Sequence, residues 1–146
     1  MLPKLSYQTN NAIKCVILQT MKSKNYLINR VNSFRNAFRG IFTVIKTEAQ
    51  ATIHLIASIF AISVAFLLQI EDIEWLFILL AISLVWITEI LNTSLERLLD
   101  HLHPEHHPNV GAIKDIAAGA VLIAALFALL TGIYIFGPPL FQLLFN

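Results

Sequence analysis

Apolar and polar residues divide this chain into a mixed front and three long apolar runs. Over residues 30–47, Val31, Phe34, Phe38, Ile41, Phe42 and Ile45 recur at three- and four-residue intervals, with Arg30, Arg35, Arg39 and Lys46 between them. That period predicts a helix with an apolar stripe. Its arginines suit a helix lying on a membrane surface, phenylalanines in the acyl boundary and guanidinium groups among phosphates. The other reading is a helix packed on the protein's own body. From Ala49 to Ile70, 22 consecutive residues carry no formal charge. Trp75 to Leu95 is a second run of 21 residues, interrupted only by Glu89, and Ile116 to Phe136 is a third of 21. At about 1.5 Å per residue, each is long enough for a hydrocarbon core of about 30 Å. Glu71-Asp72-Ile73-Glu74 reads as a short acidic turn. Residues 101–110 read as a polar loop in which two prolines stop a helix. Gly137-Pro138-Pro139 predicts the end of the third span, with Phe141 to Phe145 as an apolar tail at the interface. The expected fold is an all-α membrane protein, with an amphipathic surface helix (30–47) and three transmembrane helices (about 49–70, 75–95 and 116–136). These form one domain, 30–146, behind a weakly ordered extension, 1–29.

Composition supports the membrane reading. The 146 residues are 57% hydrophobic and 13% charged, against about 45–50% and about 25% in an ordinary soluble domain. Mean hydropathy is +0.71. A disordered chain, a collagen-like repeat and a disulfide scaffold are all excluded, the last because Cys15 stands alone. The net charge of +1 hides an asymmetry. Residues 1–47 hold eight of the ten basic residues and no acid, while the remainder holds all nine acids. A basic front before an apolar body places the N-terminus in the cytoplasm. With three spans, the Glu71–Glu74 turn and the C-terminus then face outside and the His-rich loop faces inside. The longest apolar run within the first 29 residues is Cys15–Leu18, far short of the ~7–15 residues of a signal-peptide core. No cleavage is expected, and Met21 offers a second start site. Three spans make a thin bundle, so a polar site inside it calls for neighbouring protomers.

Ionisable residues at membrane depth are costly and mark function by default. Glu89 lies among Ile87, Ile90 and Leu91 and suits a general base; the bland reading is a carboxyl group that bonds across helices as structural glue. Asn92, Thr93, Glu96 and Asp100 follow it at +3, +4, +7 and +11. At about 100° per residue, Glu89, Glu96 and Asp100 fall within roughly 20° of one line. This acidic stripe runs from the membrane into the cytosol, and it calls for cations. Mg²⁺ fits, because it takes one or two carboxylates together with substrate phosphates. Glu48 at the start of the first span and Lys114-Asp115 at the start of the third are expected at the same depth as Glu96. Carboxylates for a metal, a lysine for phosphate and a deeper base make a phosphoryl-transfer set. Singly, Lys114 is explained by snorkelling and Asp115 by the charge preference of a helix N-terminus. His101, His103, His106 and His107 match no closed zinc pattern, and no Gly-rich nucleotide loop occurs.

The segment Glu89-Ile-Leu-Asn-Thr-Ser-Leu-Glu96, then Asp100, then His107-x-x-x-Gly111-x-x-Lys114-Asp115, resembles the signature of the prokaryotic diacylglycerol kinase family, which includes undecaprenol kinases. The resemblance covers about residues 30–136, and Gly40, eight residues before Glu48, also matches. It implies a homotrimeric bundle of three-span protomers, each with a surface helix, in the bacterial inner membrane. It further implies transfer of the γ-phosphate of MgATP to a membrane lipid alcohol at active sites shared between protomers, with Mg²⁺ as the metal. By matching position, Glu89 looks like the base and Asn92 a supporting polar residue, while Glu48 and Glu96 look like the metal ligands. Lys114 and Asp115 lie where phosphates and ribose are held, and Glu105, His106 and His107 where the nucleoside is contacted. Arg30 and Asn36 match nucleotide contacts near the surface helix. Glu48-Ala-Gln50-Ala-Thr-Ile-His54 and Ala117 to Leu122 lean to the undecaprenol branch, although Gln50 replaces that branch's Asn. The diacylglycerol branch usually has a basic residue two positions after the glycine, where this chain has Phe42. No nucleic-acid partner is expected. Two readings from other classes stand beside the kinase: a proton-coupled transporter using Glu89, and a structural membrane oligomer without chemistry.

Overall fold

A computed structural model describes residues 28–103 and 107–145, and those residues are almost entirely helical, without a strand. Of the expected extension over 1–29, residues 28 and 29 belong to the first helix, and the rest, with the start at Met21, lies outside the described residues. The chain divides at Phe42/Thr43 into two units. The helices are α1 (28–47), α2 (Ala49–Leu68), α3 (Asp72–Leu102) and α4 (Pro108–Phe145). In the first unit, residues 28–42 continue one helix with Val31, Phe34, Phe38 and Phe42 exposed on it. The second unit holds the last turn of α1 and the three long helices, each long and apolar enough to cross a membrane.

One residue separates α1 from α2. Glu48 is extended, with φ −106° and ψ 120°, and it is the N-cap of α2, yet its side chain makes no capping bond. Its backbone N–H still donates to the Val44 carbonyl at 2.9 Å. At the far end of α2, Gln69 takes the left-handed conformation with φ 51°. There Gln69 N–H donates to Phe66 O and Ile70 N–H to Ala65 O, the paired closure that satisfies the last carbonyls of a helix. The acidic segment is not a free turn. Glu71 is the N-cap of α3, and Glu71 and Glu74 form a reciprocal capping box, with Glu71 N–H donating to Glu74 Oε2 at 2.9 Å. Asp72 and Glu74 thus lie in the first turn, where acidic charge meets the positive end of the helix dipole.

The prolines behave differently from the sequence reading. The loop predicted over 101–110 is shorter: α3 continues to Leu102 and α4 begins at Pro108. Pro108 sits at the first helical position, where its missing N–H costs nothing. At the other end, α4 passes through Pro138 and Pro139 to Phe145, so Gly137-Pro138-Pro139 does not end the helix. Proline's fixed φ is itself helical. Each proline removes the donor to the carbonyl four residues earlier and crowds that carbonyl with its ring, and membrane helices tolerate such positions.

The core is thin. α3 packs chiefly against α4, and α2 touches both. Buried positions are mostly small or branched: Ala51, Ala65, Ile78, Ala81, Val85, Ala124 and Ile135. Small residues let helix backbones approach closely where no hydrophobic force drives them together. Most large apolar side chains face outward, as lipid contact requires. On α3 a single face is buried, through Ile78, Ala81, Val85, Glu89, Asn92 and Thr93. That face is apolar in its first half and polar in its second, and the change of character places the site.

Candidate active site

Glu89 is the largest fully buried side chain among the described residues, 1% exposed. Its Oε2 has no hydrogen-bond partner there. Nε2 of His54, on α2, lies 3.7 Å from that oxygen, an ion-pair distance longer than a hydrogen bond. One turn on, the Asn92 side-chain N–H donates to Glu96 Oε1 at 3.0 Å, and Asn92 Oδ1 is buried without a partner. Among the described residues these are the two buried side-chain oxygens without a hydrogen-bond partner, and each such group calls for an explanation.

A cavity of about 300 Å³ opens beside this stripe, lined by Gln50 and His54 of α2, Asn92 and Glu96 of α3, and apolar residues of α4. A second, apolar cavity of about 270 Å³ runs on between the three helices, past Ala57, Ala81, Ala128 and Gly132 to Phe136. His54 and Ala125 line both.

Glu48 turns away from its own helix to α3. Its Oε1 accepts from Arg97 at 2.9 Å and from Thr47 at 3.0 Å, and Arg97 also donates to Thr47. The Arg97 guanidinium holds the Glu48 carboxyl below its usual range, against a smaller opposing effect of burial. Lys114 of α4 pairs with Asp100 of α3. Helix α3 therefore anchors both neighbours at its polar end, α2 through Arg97 and α4 through Asp100.

The predicted residues divide accordingly. Glu89, Asn92 and Glu96 share one face of α3, Glu48 is joined to it through Arg97, and Lys114 through Asp100. Asp115 is exposed next to Lys114 in the first turns of α4. His107 precedes α4, and its Nδ1 accepts from Asn109 N–H at 3.2 Å. It thus caps the helix that presents Lys114. Glu105 and His106 lie outside the described residues. Arg30 and Asn36 belong to the first unit, exposed on α1. Sequence reasoning assigned no role to His54 or Arg97. The available signals were slight: His54 is the one ionisable residue in the first span, and Arg97 is one of only two basic residues after residue 47.

Among the described residues no three His, Cys, Asp or Glu gather as a closed metal cage. The donors present are oxygens from Glu48, Glu96 and the unpartnered Asn92 Oδ1. This set fits Mg²⁺, which binds through one or two carboxylates and completes its shell with phosphates and water.

A three-span helical membrane protein with a buried carboxyl group, Glu89, and a half-buried one, Glu96, two turns further on is the class that fold and site define. The family model for prokaryotic diacylglycerol kinase matches residues 35–136. Undecaprenol kinase of Bacillus subtilis is 37% identical over 117 residues, covering 80% of this chain and 95% of that one. A diacylglycerol kinase of Synechocystis is also 37% identical over 117 residues, covering 80% and 67%. The diacylglycerol kinase of Escherichia coli K12 is 30% identical over 95 residues, covering 65% and 78%. This chain belongs to the prokaryotic diacylglycerol kinase family. It is an enzyme of the lipid-alcohol kinase type in a multi-pass membrane fold.

Proposed function

We propose that the protein transfers the γ-phosphate of MgATP to the hydroxyl of a membrane lipid alcohol, and that the physiological acceptor is undecaprenol rather than diacylglycerol. The observation that carries the reading is Glu89: a fully buried carboxyl group in a membrane span, two turns from a second one at Glu96. Family membership supplies the lipid kinase class. The 95% coverage of the Bacillus undecaprenol kinase and the branch-like stretches at Glu48–His54 and Ala117–Leu122 support the acceptor.

In this reading the lipid hydroxyl reaches Glu89 from the bilayer and gives its proton to the carboxylate as its oxygen attacks the γ-phosphorus. The bond between the γ-phosphorus and the β–γ bridging oxygen breaks, and ADP leaves. Glu48 and Glu96 would hold Mg²⁺, and Asn92 orients Glu96. Lys114 and Asp115 meet phosphate and ribose; Glu105, His106 and His107 contact the nucleoside; Arg30 and Asn36 add contacts from α1. Bound Mg²⁺ would neutralise charge developing on the transferred phosphoryl group. The enzyme acts as a homotrimer in the bacterial inner membrane, N-terminus inside and C-terminus outside. Lipid-facing helices with so little buried surface gain from close packing with further copies.

The test is a side-by-side assay of purified protein in bilayers with MgATP and either lipid. Phosphorylated undecaprenol in clear excess is the expected result. Preference for diacylglycerol would reassign the acceptor, and folded protein that phosphorylates neither lipid would sink the kinase reading. Light scattering on detergent-solubilised protein should give three protomers per particle; a monomer in a preparation that retains activity would remove the trimer.

A further inference from the structure

A carboxylate oxygen that is fully buried and unpartnered is costly unless something meets it. The group facing Glu89 Oε2 is the His54 imidazole, 3.7 Å away. The backbone of His54 is tied to α3 through Ser58. Its carbonyl accepts from Ser58 Oγ at 2.7 Å, and that hydroxyl oxygen accepts from Trp86 Nε1 at 3.2 Å. Trp86 lies one turn before Glu89 on α3, so the Trp86–Ser58 bond joins α2 to α3 one turn from where the His54 imidazole faces Glu89. His54 also lines both cavities, while Glu89 lines neither, so His54 is the side chain joining Glu89 to both spaces.

We propose that His54 is a positioning residue for Glu89: its Nε2 holds the free Oε2 of the buried carboxylate, so that an acceptor hydroxyl meets the base in one orientation. The inference rests on the kinase reading and adds to it a residue of α2. The present separation needs to close by only about 0.8 Å to become a hydrogen bond. Contacts of this kind tighten when substrate binds. A carboxylate fixed at one oxygen presents the other in a defined direction, and misplacement by about 1 Å is costly in rate.

The full-length protein in bilayers, with MgATP and a lipid acceptor, tests this through kcat and KM. His54→Ala should lower kcat by about 10-fold or more while leaving the KM for MgATP within about twofold. His54→Gln, whose amide N–H reaches close to the place of Nε2, should recover most of the loss. His54→Asn, one bond shorter, should not. In a Glu89→Gln background, His54→Ala should cost little further, because residues acting as a unit are non-additive. Any of three results overturns the proposal: His54→Ala within twofold of wild type, equal rates for His54→Gln and His54→Asn, or losses that multiply in the double variant. The Gln and Asn comparison decides the matter even if His54→Ala fails to fold. Inactive but folded wild-type protein overturns the kinase reading and this inference together; an active wild type with an unimpaired His54→Ala overturns this inference alone.

Discussion

Glu89 and Glu96 stand two helical turns apart, about 10 Å along the axis, so one residue can hardly serve both lipid and nucleotide. On the proposed mechanism the lipid hydroxyl goes to the deeper Glu89, and MgATP to Glu96, nearer the end of α3. Glu89→Gln should therefore retain MgATP binding and lose about 10²-fold or more in turnover, the usual effect of removing a general base. Glu96→Gln should weaken Mg²⁺-dependent nucleotide binding itself, with partial rescue by excess Mg²⁺. Calorimetric titration of both variants separates the roles, and the reverse pattern would exchange them. Arg97 belongs to the same accounting. Its pair with Glu48 is partly exposed, so Arg97→Ala should cost at most about 1 kcal/mol of stability. Its larger effect should fall on MgATP affinity, through a Glu48 no longer held in place. A change in melting with no change in nucleotide binding would make Arg97 a purely structural link. Glu89 was legible because it interrupts an apolar run, and Asn92 and Glu96 because they follow it at helical spacing. His54 and Arg97 were not, because their partners are 35 and 49 residues away in sequence.

The helices follow from local chemistry at most of their ends. Two acidic residues close the start of α3 as a capping box, and Pro108 opens α4. Gln69 is the exception, since a residue with a Cβ occupies the left-handed position that glycine usually fills. Gln69→Gly should relieve that strain and stabilise the protein by about 1 kcal/mol; an unchanged or lower unfolding midpoint in detergent would contradict it. Between α2 and α3 the Trp86–Ser58 bond is one of few polar ties. Trp86→Phe keeps the ring, removes the donor and should cost about 1 kcal/mol, read in the same unfolding assay. The apolar runs fixed the existence of three spans. Their ends were less legible, because a proline stops a helix where the backbone around it finds better partners outside the helix, and Pro138-Pro139 lies inside an apolar segment that offers none.

The three long helices form a bundle whose polar features gather at one end. Arg97–Glu48, Lys114–Asp100 and Asn92–Glu96 all lie where α3 meets the starts of α2 and α4. The opposite end carries Gln69 and the Glu71–Glu74 box. With Cys15 replaced, a cysteine at position 69 should react with a membrane-impermeant thiol reagent added outside cells, and one at position 103 should react only after permeabilisation. Labelling of position 103 in intact cells would invert the topology. α3, with 31 residues, is about 46 Å long, well over the hydrocarbon thickness. Its polar end therefore lies at or beyond the interface, where a nucleotide in water and a lipid hydroxyl can meet.

Periodicity and charge along the chain were enough for the helices, the spans, the basic side and the acidic stripe of α3, because each of these depends on neighbours within a few residues or on the sum over about twenty. Which cation meets which carboxylate depends instead on the depth and rotation of one helix against another. Those are set by side chains packing across α2, α3 and α4, by Ala51, Ala81 and Ala124 allowing close approach and by Trp86 finding Ser58. Only in that packing does Glu48 turn to Arg97, Lys114 to Asp100, and His54 to the buried oxygen of Glu89.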